Sequence, residues 1–148
     1  MSRLKVDSGD WIVVCDGTKA LILENVGDRA YPDLRVKEVR EQDDPRTSEQ
    51  GTDAPGRAFA SVGGMRSAMD QTDWHIQAED AFLKKLVDEL NTAVLSGKPK
   101  ALAIVAPPRA LGVIRQAYSA ALRSAVMVEL AHDYVNVPVD EIEKRLFR

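Results

Sequence analysis

The densest contact chemistry in this chain lies in residues 57–69, Arg-Ala-Phe-Ala-Ser-Val-Gly-Gly-Met-Arg-Ser-Ala-Met. Gly63 and Gly64 remove two β-carbons side by side, so the backbone there can take positive φ and approach another surface closely. Arg57 and Arg66 bring guanidinium forks that match phosphate bidentately. Ser61 and Ser67 add hydroxyls, and Met65 supplies an apolar tip. Such a segment suits a loop that inserts into a partner, or more plainly a hinge before a helix. Two arginines make a contact point rather than a nucleic-acid groove.

Other reactive residue types are scattered. His75, His132 and Cys15 fall on three separate predicted elements without metal-ligand spacing, so no metal or cofactor site is expected. No nucleophile-elbow motif appears, and no catalytic residue is assigned. Cys15, lone and inside an apolar run, reads as a buried structural thiol. The corner Ala106-Pro107-Pro108-Arg109 follows an apolar strand pattern and opens a helix, a place where α/β sheets commonly bind ligands. Arg109 is a candidate anion contact there, although the two prolines remove N–H donors that an anion would use.

The elements that must position these residues follow from periodicity. Trp11–Asp16 and Lys19–Glu24 are apolar runs around Asp16-Gly17-Thr18, a β-hairpin signal because Asp and Gly tolerate positive φ. Leu34, Val36 and Val39 mark a third, more polar strand suited to a sheet edge. An acidic stretch with scattered Pro and Gly fills residues 41–56, inside a long polar loop over about 41–72. Phe59 and Val62 suggest a brief strand before the glycines. From Asp73 the period becomes helical, with Phe82, Leu83, Leu86, Val87, Leu90, Ala93 and Val94 on one stripe, stopped by Gly97 and Pro99. Residues 101–106 read as a central strand, and Leu111, Ile114, Ala117 and Tyr118 as the buried stripe of the next helix. Val126–Leu130 is a last strand, extended toward Tyr134, and Pro138 opens a terminal helix with Ile142 and Leu146 inward. The order predicts one α/β domain over residues 1–148, a mixed β-sheet packed with helices.

Composition narrows the function classes. Net charge is −3 with 45% hydrophobic residues, which opposes an all-over electrostatic grip on nucleic acid and supports a packed core. The charged N-terminus lacks a secretory apolar region and no window could span a bilayer, so a cytoplasmic location without membrane insertion is expected.

Taken together, Trp11–Thr18, Phe59–Met69, Glu79–Leu86 and Ala106–Gly112 resemble the host attachment protein family, proteins required for attachment to host cells. That family is similar to the middle domain of eukaryotic and archaeal class-1 peptide chain release factors and of Pelota. The resemblance implies a release-factor-like fold whose Gly-Gly-Gln loop enters the peptidyl transferase centre. Here Gly63 and Gly64 match, whereas Met65 replaces the Gln and has no side-chain amide to orient water. The resemblance therefore implies a non-catalytic ribosome or tRNA contact through Arg57, Ser61, Gly63, Gly64, Met65, Arg66, Ser67 and Arg109, indirectly linked to attachment. A protein–protein interaction module is the alternative, and a peptidyl-tRNA or other ester hydrolase ranks third.

Overall fold

The computed structural model describes residues 4–42 and 68–147, with the backbone alone for 68–72. Five strands form one mixed sheet: Trp11–Cys15 (β1), Lys19–Asn25 (β2), Leu34–Glu41 (β3), Leu102–Ala106 (β4) and Val126–Ala131 (β5). Their order is β3-β2-β1-β4-β5. The hairpin and meander pair antiparallel, while β1–β4 and β4–β5 run parallel, so β1, β3, β4 and β5 all end at one edge. The described residues also form four helices: Ala68–Leu95 (α1), Pro108–Gln116 (α2), Ala120–Ala125 (α3) and Val139–Phe147 (α4).

Every residue of β1 and β4 is buried, which is why both read as unbroken apolar runs rather than alternating ones. Odd-numbered Trp11, Val13 and Cys15 face a core shared with Leu83, Leu86, Val87 and Leu90 of α1 and with Leu111, Ile114 and Leu122. Even-numbered Ile12 and Val14 face a second core closed by Val6, Ile142, Leu146 and Phe147. The polar strand β3 takes the edge, as its composition predicts.

Four boundaries differ from expectation. α1 begins at Ala68 rather than Asp73, because helix needs no buried stripe to continue once nucleated. α2 stops at Gln116, leaving Ala117 and Tyr118 beyond it, though both still pack on the first core. Residues 120–125 form α3, which has too few residues to show a period; Ser119 caps it by accepting from Leu122 N–H at 3.0 Å. β5 ends at Ala131: its ladder closes on the bond from His132 N–H to the Ala106 carbonyl, and Pro107 has no N–H to extend it. The turn after β1 also uses its glycine differently. Among the described residues positive φ occurs at Gly9 and Gly97 alone, so Gly17 is not there for a left-handed turn. Gly97, at φ 98°, stops α1 as expected. The strand expected at Phe59–Val62 lies outside the described residues.

Two polar groups organise the loops. Asn25 is fully buried; its Nδ2 donates to the carbonyls of Val6 (2.9 Å) and Asp28 (3.2 Å), and its Oδ1 accepts from Gly27 N–H (3.0 Å) and Asp33 N–H (2.9 Å). Glu129 accepts from Arg115 Nε and from the Tyr118 hydroxyl, both at 2.5 Å, fastening the end of α2 to β5. Burial alone would raise the Glu129 carboxyl, but the Tyr118 and Arg115 hydrogen bonds outweigh it and hold the group below its ordinary range. The same burial and the Glu129 contact push the Tyr118 phenol well up.

Asn25→Ala leaves several buried backbone groups without partners and should cost about 2–4 kcal/mol in urea unfolding. Gly112→Ala, where an added Cβ meets nothing within 4 Å, should instead stabilise α2 by about 0.5–1 kcal/mol. Because the folded Glu129 pKa is depressed, its contribution is present above the unfolded value and is lost as pH falls through the folded one. Glu129→Gln should therefore lower stability by about 1–2 kcal/mol at pH 7. That deficit should shrink progressively below about pH 4.5 in a series of unfolding curves.

Candidate functional site at the carboxyl edge of the sheet

The carboxyl ends of β1 and β4 bring together the β1–β2 turn, α1 and the start of α2. Asp16 Oδ1 accepts from Thr18 N–H (2.8 Å), the Thr18 hydroxyl (2.9 Å) and Lys19 N–H (2.9 Å), which fixes the turn through its own side chain. A Cβ on Gly17 would stand 2.7 Å from the Cβ of Glu79, so glycine here serves the close approach of α1. Arg109 then bridges the helices, donating to Glu79 Oε1 at 3.3 Å and to Asp80 Oδ1 at 2.9 Å. The arginine expected to meet an external anion thus already has two internal carboxylates. Pro107 serves as the N-cap of α2 without a side-chain cap, and the paired prolines set the strand-to-helix corner.

Beyond this junction α1 leaves the body. Its 28 residues make a rod about 42 Å long. From residue 73 onward Leu83 is the first fully buried side chain along it, and residues 73–77 are all exposed. At about 100° per residue, these five consecutive exposed positions sweep more than a full turn of the helix. Trp74 and Ile76 are 42% and 38% exposed on this stretch. Ala68 stands about 22 Å upstream of Leu83 along the helix axis.

Of the predicted contact residues, Arg109 is the one described. Arg57, Ser61, Gly63, Gly64, Met65, Arg66 and Ser67 lie outside the described residues. Cys15 is fully buried, and burial, with the charge of Asp16, pushes its thiol up to about 12, so it stays protonated and inert. Among the described residues no group of three or more His, Cys, Asp or Glu is placed to hold a metal ion. No described helix is long and apolar enough to cross a membrane. Two features of this edge escaped the sequence reading. One is a groove of about 380 Å³ beside α1, with Ala78, Phe82 and Leu86 below and Arg40, Lys85 and Glu89 at its rim. The other is a stacked ring pair, His132 and Tyr134, which the two-residue spacing of an extended segment places on one side.

A mixed sheet with a long helix entering from its carboxyl edge is the framework of a release-factor-like domain. Residues 10–146 match Bacterial archaeo-eukaryotic release factor family 12, and the chain belongs to that family. It is also similar to the uncharacterized protein RP470 of Rickettsia prowazekii (strain Madrid E), at 36% identity over 73 residues. That alignment covers 49% of this chain and 47% of the relative, about half of each. Neither name refers to attachment to host cells, so the comparisons support the release-factor side of the resemblance.

Gly17→Ala should destabilise by about 1–3 kcal/mol, since the opposing atoms include the stem of Glu79 rather than a flexible tip alone. Arg109→Ala should change stability by under about 1 kcal/mol, because the ion pairs are partly solvated. Thermal unfolding of both variants beside the wild type separates the packed contact from the electrostatic one.

Proposed function

We propose that this chain is a non-hydrolytic factor that contacts the ribosome or a tRNA-like RNA with residues 57–69, the segment that leads into α1. The observation that carries this reading is the run of five exposed residues, 73–77, that lies in sequence between the diglycine segment and the packed part of α1. Arg57 and Arg66 are the phosphate contacts, Ser61 and Ser67 offer hydrogen bonds, and Gly63-Gly64 allows close backbone approach. Met65 adds apolar contact without an amide, which favours binding over ester cleavage. Arg109 acts in this scheme as a brace on α1. The family membership supports a ribosome-related role, and a cytoplasmic site of action follows from it. A link to host attachment would then be indirect, through the synthesis of other proteins.

Exposed Trp74 and Ile76 favour one second reading, a protein partner that covers the arm. Ribosome co-sedimentation distinguishes the two. Arg66→Ala combined with Gly64→Val should weaken ribosome binding about tenfold or more. Unchanged binding would remove the diglycine segment from the contact, and recovery of a protein partner without RNA would favour the second reading. Peptidyl-tRNA should remain intact in the presence of the wild-type chain.

A further inference from the structure

We propose that His132 and Tyr134 form a stacking platform for an unpaired RNA base at the carboxyl edge of the sheet. This rests on the reading of the chain as an RNA-contacting factor, and it assigns a second contact to residues outside the diglycine segment. The two rings are stacked, their planes parallel within 1° and their centroids 4.7 Å apart. The Arg145 guanidinium lies over the Tyr134 ring, 5.2 Å from its centroid. Tyr134 is half-buried and packed on the second core, so its ring is fixed before any ligand arrives. His132 is exposed and ends the stack.

The chemistry favours a nucleobase. Every base offers a flat π face, and an aromatic surface that is already rigid loses little freedom when a base adds to it. A cation at the far end of the stack strengthens the array further. The location agrees with the proposed role. His132 N–H donates to the Ala106 carbonyl at 3.1 Å, which ties the platform to the end of β4 and to the corner that leads to Arg109. β5 and β1 are two strand spacings apart, about 10 Å. The platform and the root of α1 share the carboxyl edge but lie on opposite faces of the sheet, Tyr134 on the core closed by α4 and Leu83 on the other, so the platform is a contact separate from the α1 side.

The test is an NMR titration of the full chain with a single-stranded adenine hexaribonucleotide, following the ring protons of His132 and Tyr134. Stacking predicts upfield ring-current shifts at both rings. His132→Phe should keep the affinity within about twofold, while His132→Ala with Tyr134→Leu should weaken it at least about fivefold. Ring resonances that stay fixed at millimolar oligonucleotide overturn the platform, as does equal affinity in the double variant. Ribosome co-sedimentation run in parallel separates this from the broader reading. Ring shifts without ribosome binding would refute the ribosome contact and leave the platform standing.

Discussion

The packing of Leu83, Leu86, Val87 and Leu90 against β1 and β4 is the constraint on which the rest of this structure depends. Each such side chain contributes about 1.5–3 kcal/mol on burial, so the four together rival the net stability of a whole domain. The root of α1 is consequently immovable without unfolding the sheet. Rigidity passes upstream along the i to i−4 hydrogen bonds of the same helix, into the exposed run 73–77. Gly17 and Arg109 add to this at the point where the helix leaves the sheet. The first lets the helix come close to the β1–β2 turn, and the second ties it to α2. What results is a stiff rod rooted at one end.

Two-sided burial explains why the edge of the sheet, rather than a face, is left for function. Helices α1, α2 and α3 cover one face of β1 and β4, and α4 with the N-terminal segment covers the other. No face of the central strands remains open. The carboxyl edge gathers the ends of β1, β3, β4 and β5, and the chain leaves it through loops and helix starts. β3 is guarded differently: Arg35, Lys37, Glu38 and Arg40 line it, and a register shift between Ile22 and Leu23 disturbs the ladder on its partner. Charges and irregular register at a sheet edge discourage pairing with another chain.

Most of the fold was legible because its signals are local. The unbroken apolar runs of β1 and β4, the stripe of α1, Gly97 as its stop and Pro138 before α4 are each visible within a short window. The polar character of β3 was enough to place it at the edge. Nonlocal geometry was what the sequence could not reveal. Asp16-Gly17 marks a turn, yet the reason for the glycine is a helix more than sixty residues away. Arg109 reads as a free cation until Glu79 and Asp80 are brought across from α1. α3 is too short to display a period, and its capping serine carries no distinctive flank. His132 and Tyr134 show the spacing of one strand face, but their stacking depends on how the chain turns after Ala131.

A stiff rod matters differently for contact and for catalysis. Contact needs a backbone that can approach closely and a few polar groups, and residues 57–69 supply Gly63-Gly64, two arginines and two serines. Ester hydrolysis needs in addition a group placed to orient water or stabilise the developing charge to within fractions of an ångström. On the proposed reading the rod delivers the tip, but Met65 offers no side-chain donor or acceptor strong enough for that task. Binding energy gathered by the arginines and by Trp74 and Ile76 would then hold the complex together without lowering a barrier, since contacts equal in ground and transition states do not accelerate a step. On that reading the domain occupies a site rather than turning over a substrate there.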